Sequence, residues 1–62
     1  MDDRDKGFTQ AVSWAVWWLN GFHEEQTAYY LLKESGIPLK DFIEAQVEPY
    51  EIKVIKKLIK NK

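Results

Sequence analysis

The stretch PYEIKVIKKLIK, residues 49–60, decides the fold class. When successive residues are placed about 100° apart, as in an α-helix, its aliphatic side chains and its lysines separate onto two arcs. The aliphatic arc holds Ile52, Val54, Ile55, Leu58 and Ile59, and the basic arc holds Lys53, Lys56, Lys57 and Lys60. Pro49 suits the first turn of a helix, because that turn needs no N–H from it. The stretch therefore predicts an amphipathic helix that packs its aliphatic side against other helices.

The residues before this stretch divide into three further helical segments. Pro38 favours a helix start, Gly36 favours a helix end, and Asn20–Gly21 tolerates the left-handed backbone that ends a helix. No run of alternating β-branched residues is present, so no strand is predicted. The predicted helices span about residues 8–19, 24–35, 39–46 and 49–60. We therefore predict a single all-α domain of four short helices over residues 1–62, with a frayed N-terminus at residues 1–6.

Length and composition limit what such a domain can do. The chain has 62 residues, no cysteine and a hydrophobic content of 45%. A chain of this size buries only about 60% of its unfolded surface, so it needs most of its apolar side chains, or a partner, to fold. These facts exclude an enzyme with a deep cleft, a disulfide scaffold and a cysteine-based zinc site.

The net charge of −1 conceals a marked asymmetry along the chain. Residues 1–48 carry nine acids and four bases, a net charge of −5, whereas residues 49–62 carry five lysines and one acid, a net charge of +4. A basic end of this kind suits an anionic partner, but lysines are also favourable near the C-terminus of any helix because of its dipole. Both interpretations stay open for Lys53, Lys56, Lys57 and Lys60.

Residues that carry out catalysis or hold cofactors are not recognisable in the sequence. His23 is the only histidine, so the pair of histidines that a helical zinc site needs is missing. Ser13, His23 and Asp41 are of the types found in a hydrolytic triad, but nothing in their sequence context supports one. We predict no catalytic residue, no metal site, no cofactor and no small-molecule substrate. The acidic N-terminus and the short apolar run Ala11–Leu19 predict a cytoplasmic protein without a signal peptide or membrane span.

Three tryptophans within five residues of the first predicted helix cannot all face one side of it. Its predicted buried arc holds Phe8, Ala11, Val12, Ala15, Val16, Trp18 and Leu19, and its predicted polar side holds Thr9, Ser13 and Asn20. Trp14 lies at the border of the buried arc, and Trp17 lies outside it. Tyr30 points away from the apolar side of the second helix. Because tryptophan and tyrosine dominate binding hot spots, we predict a partner-binding surface of Trp14, Trp17 and Tyr30 centred on Trp17.

These features favour a small, non-enzymatic protein-binding module. We expect it to act by stoichiometric contact, as a regulator, inhibitor or adaptor, with nearby acids such as Glu24, Glu25 and Glu34 helping to orient the partner. Its partner would be another protein or a second copy of the chain, since a homodimer would also relieve the shortage of core. Short, near-neutral chains of this kind are common among phage and mobile-element regulators.

Nucleic-acid binding is the alternative function. The segment AYYLLKESGIPLKDFIEAQV, residues 28–47, resembles the helix-turn-helix motif: a helix, a turn glycine (Gly36), a hydrophobic residue after it and a second helix. The resemblance implies nucleic-acid binding, assisted by the basic C-terminal helix. Leu32 and Ser35 depart from the motif, which has a small and an apolar residue at these positions. Asp41 and Glu44 on the second helix would repel phosphates.

Overall fold

A computed structural model describes residues 3–60 and places them in four α-helices with no strand in that range. The helices are α1 (Asp3–Gly21), α2 (Glu25–Ser35), α3 (Leu39–Glu44) and α4 (Pro49–Lys60). The predicted all-α class is confirmed, and α4 has the predicted bounds. Residues 3–6, expected to be frayed, instead form the first turn of α1, where Asp3 and Asp5 suit the positive end of the helix dipole. Residues 1–2 lie outside the described residues.

The C-terminus of α1 is set by His23 and not by the predicted Asn20–Gly21 pair. His23 adopts a left-handed backbone with φ of 64°. Its N–H donates to the Asn20 carbonyl over 3.1 Å, and the Glu24 N–H donates to the Leu19 carbonyl over 3.0 Å. This double hydrogen bond is a Schellman ending, which satisfies the last carbonyls of the helix. The helix therefore continues past residue 19, and residue 22 stays close to its surface.

The other two turns also end a helix with a residue in the left-handed backbone conformation. Gly36 ends α2 with φ of 67°, as predicted. Gln46 ends α3 with φ of 62°, and the N–H groups of Gln46 and Val47 donate to the Ile43 and Phe42 carbonyls. This ending makes α3 two residues shorter than predicted, because residue 46 leaves the helical conformation.

The core lies between α1 on one side and the other three helices on the other. Its buried members are Val12, Val16, Ala28, Leu32, Phe42, Ile55 and Leu58. Phe42 is the largest fully buried side chain. The apolar spacing of Leu39, Phe42, Ile43 and Val47 predicts that all four lie on the buried side of the third helix. For Ile43 this prediction is wrong, since 54% of its surface is exposed. In a helix this short only one face rests on the core, and residue 43 lies about 100° around the axis from residue 42.

Helix α1 presents a different face to the core from the one that its apolar pattern predicts. The buried residues of α1 are Thr9, Val12, Ser13 and Val16. Relative to the predicted arc, the helix is rotated by roughly a quarter turn. Thr9 and Ser13, predicted to lie on the polar side, are buried, whereas Phe8, Ala11 and Trp18, predicted to be buried, are exposed.

Side-chain hydrogen bonds to distant parts of the chain explain this rotation. The Ser13 hydroxyl donates to Oε1 of Glu51 over 2.7 Å, and both residues are buried. The Gln10 side-chain amide donates to the Ala45 carbonyl over 2.8 Å, which ties α1 to the end of α3. A buried carboxyl group needs hydrogen-bond donors, so Ser13 belongs on the inner face beside Glu51. As a consequence, the aromatic side chains of Phe8, Trp14 and Trp18 point outwards.

Candidate functional site

Trp14, Trp18 and Phe22 form a continuous aromatic surface on the outer side of α1, which we call the aromatic face. Residues four apart on a helix lie one above the other, so these three side chains form a single row. They lie on the side of α1 opposite Val12 and Val16 and are 53%, 46% and 62% exposed, respectively. The aromatic face therefore makes little contribution to the core and is available to another molecule.

The rings of the aromatic face are packed against one another. The ring centroids of Trp14 and Trp18 are 6.2 Å apart with planes 21° apart, and those of Trp18 and Phe22 are 4.5 Å apart with planes 47° apart. Such contacts hold each ring in place before any partner arrives. Little side-chain freedom is then left to lose on binding, which favours affinity.

The stretch of α1 that carries the aromatic face is uncharged. The sequence from Gln10 to Phe22 contains no acidic or basic residue. The neighbouring row of the helix surface is formed by Ala11, which is exposed, and Ala15, which is half-buried. An exposed apolar patch of this kind is the usual mark of a contact surface in a small protein.

Of the three residues predicted to bind a partner, only Trp14 lies on this face. Trp17 is half-buried, with its ring centroid 5.2 Å from that of Tyr50, so it links α1 to the start of α4. Tyr30 is exposed on α2 and its ring contacts Tyr29, without a ring contact to the tryptophans. The prediction of a surface centred on Trp17 therefore differs from the structure, in which the row is centred on Trp18.

Sequence reasoning missed Trp18 and Phe22 for two different reasons. The apolar residues of α1, taken alone, orient its helical wheel so that Trp18 falls in the buried arc. Phe22 lay beyond the predicted end of the helix at residue 19. The four-residue spacing of Trp14, Trp18 and Phe22 was the available signal, because it predicts a row of aromatic rings on any helix that reaches residue 22.

The four lysines of α4 form a second exposed surface. Lys53, Lys56, Lys57 and Lys60 lie on the side of α4 that faces away from the buried Ile55 and Leu58. None of them makes a hydrogen bond or ion pair with another residue in the range 3–60. They share a shallow depression with Asn20, whose buried side-chain oxygen has no hydrogen-bond partner in that range. This surface offers positive charge to an anion.

The residue types that could resemble a hydrolytic triad do not come together. Ser13 is fully buried and donates its hydroxyl proton to Glu51, while His23 is exposed in the turn between α1 and α2. Among residues 3–60, no group of three or more acidic or histidine side chains is arranged to hold a metal ion. Each helix in this part of the chain is too short or too polar to cross a bilayer.

Comparison with protein-family models, with curated proteins and with solved structures found no match to this chain.

Proposed function

We propose that this chain is a non-enzymatic protein-binding module that works by stoichiometric contact through the aromatic face of α1. The observation that supports this proposal most is the outward row of Trp14, Trp18 and Phe22, which the fold does not use as core. Each of these side chains brings a large contact area, and aromatic residues dominate the hot spots of protein interfaces. A regulator or an inhibitor needs no more than one such surface, whereas an adaptor needs a second one.

The shape and charge of the aromatic face favour a protein over other ligands. Small molecules bind in concave pockets that enclose them, whereas this face is a ridge on a helix. Nucleic acid is bound mainly through its phosphates by lysine and arginine, and the segment from Gln10 to Phe22 carries neither. A ridge of aromatic rings instead fits the groove between elements of another folded protein.

Replacing Trp18 with serine tests this proposal. We expect the variant to lose the protein contact, whether that contact is self-association or binding of another protein captured from an extract of the source cells. Loss of a hot-spot tryptophan typically costs about 2–4 kcal/mol, which weakens binding by roughly 30- to 800-fold. The measurement is the dissociation constant, from sedimentation for the chain itself or from titration calorimetry with the purified partner.

Tyr30→Ser is the matched control, because Tyr30 is 52% exposed, close to the exposure of Trp18, and lies on α2 away from the aromatic face. This variant should retain the contact at nearly full affinity. The proposal is wrong if the contact survives Trp18→Ser, or if Tyr30→Ser weakens it equally.

Nucleic-acid binding through the lysines of α4 is the second candidate, supported by four lysines that have no partner among residues 3–60. The helix-turn-helix reading has less support, because α3 has only six residues and carries Asp41 and Glu44. Binding to a duplex would weaken steeply as salt rises and would fall on Lys56→Gln/Lys57→Gln. It would be unaffected by Trp18→Ser, so the two candidates are separable with the same set of proteins.

A further inference from the structure

We propose that the partner of the aromatic face is a second copy of this chain, in a two-fold dimer in which the two α1 helices cross. This inference rests on the proposed function, since it uses the same face and names the molecule that covers it. Three features of the described residues favour a second copy over a different protein: the distribution of charge, the shape of the helix surface and the area available.

The distribution of charge suits contact between identical surfaces. In a two-fold contact, residues near the axis meet their own copies, so charged residues there would repel one another. The segment from Gln10 to Phe22 has no charge. Charged residues occur beyond its two ends: Asp3, Arg4, Asp5 and Lys6 before it, and Glu24 and Glu25 after it. Helices that cross diverge from the contact, which keeps these charged ends apart. A different partner is normally oriented by complementary charges, and the aromatic face carries none.

The outer surface of α1 has a ridge next to a groove, which is what helix-to-helix packing requires. Trp14, Trp18 and Phe22 form a ridge of residues four apart, and the adjacent row of residues four apart contains Ala11 and Ala15. The small alanine side chains leave a groove beside the aromatic ridge. In the commonest packing class, such ridges and grooves interlock at a crossing angle of about −50°. The ridge of each copy can then occupy the alanine groove of the other, as two-fold symmetry demands.

The area agrees with a dimer. At about 200 Å² per aromatic side chain, roughly half exposed, the three rings offer about 320 Å² in each copy. With complete burial of these rings and of the flanking surface of Ala11, Ala15 and Gly21, two copies would bury at most roughly 1,000 Å², at the lower limit for specific interfaces. Interfaces of one size span a wide range of affinity, so the area shows that a dimer is possible without setting its dissociation constant. A chain of 62 residues also gains more from a second copy than a larger domain does.

Sedimentation equilibrium of the full chain tests the proposal. The single chain has a mass of 7.4 kDa, and we expect the average mass to rise with concentration towards twice that value and no further. Added salt should leave the association nearly unchanged, because no charge lies in the contact. Ala11→Glu places a charge beside the axis at an exposed position that does not touch the core. It should weaken the dimer by about 100-fold or more, since it buries an unpaired charge.

Gln26→Glu is the matched control, because it adds the same charge at an exposed position on α2, and it should leave the dimer intact. Circular dichroism of each variant shows whether the helices remain folded. A chain that is monomeric at all concentrations, but binds another protein through Trp18, overturns the dimer and leaves the proposed function in place. A dimer that survives both Ala11→Glu and Trp18→Ser overturns both proposals. Association beyond the dimer, or association that salt abolishes, also overturns the inference.

Discussion

Phe42→Ala is expected to remove much of the stability of this domain at 25 °C. Phe42 is the largest fully buried side chain, and it anchors the short helix α3 to α1 and α4. Truncating a buried phenylalanine typically costs about 3–5 kcal/mol through lost apolar burial and the cavity left behind. A 62-residue domain has a total stability of only about 3–9 kcal/mol, so this loss consumes much of it. The measurement is urea-induced unfolding followed by circular dichroism.

Ile43→Ala provides the control for this experiment. Ile43 is the next residue in the same helix, but it is exposed, so its truncation should change the unfolding free energy by less than about 0.5 kcal/mol. The sequence pattern alone gives both residues the same buried role. If the two variants lost equal stability, α3 would rest on the core with a different face from the one described.

Ser13→Ala is the second substitution with a large expected effect. Its hydroxyl donates to the buried Glu51 carboxyl group, and its removal leaves that group with one donor fewer. We expect the unfolding free energy to fall by about 1.5–3 kcal/mol, the range for a buried hydrogen bond to a charged group. The sign of the effect is informative, because on an exposed helix surface alanine is slightly more favourable than serine.

A double-mutant cycle with Glu51→Ala, which removes the acceptor of this hydrogen bond, shows whether the loss arises from this pair. Residues that share a buried hydrogen bond show coupling energies of about 0.5–3 kcal/mol. The double variant should therefore be more stable than the sum of the two single losses implies. Additivity within about 0.3 kcal/mol would contradict the hydrogen bond and the orientation of α1 that depends on it.

Much of the fold could be predicted from local chemistry. Pro49 and the clear separation of aliphatic from basic residues set the bounds of α4, and Gly36 marks the end of α2. The two turns formed by His23 and Gln46 could not be predicted in the same way. Left-handed positions are uncommon for any residue other than glycine, and His23 and Gln46 adopt that backbone because the chain must reverse there to bring the next helix onto the core.

The orientation of α1 and most of the candidate site could not be predicted from the sequence pattern. The wheel of α1 has apolar residues around most of its circumference, so its inner face is decided by a hydrogen bond between Ser13 and a residue 38 positions away. The apolar pattern predicts that Trp14 contributes to a binding surface. It places Trp18 in the buried arc, and the predicted first helix ends before Phe22. The absence of charge from Gln10 to Phe22 was visible in the sequence, although its meaning depends on which side of α1 faces outwards.

Thermal unfolding of Trp18→Ser, at a concentration well below the dimer dissociation constant, tests the central claim most directly. If the aromatic face lies outside the core, the variant loses only the ring contacts with Trp14 and Phe22, worth about 0.5 kcal/mol each at an exposed position. It then unfolds cooperatively, and its midpoint falls by no more than about 10 °C. If Trp18 belongs to the core, truncation costs about 3–5 kcal/mol and the midpoint falls by about 12 °C or more. The first result supports a face that is free for a partner, and the second contradicts it.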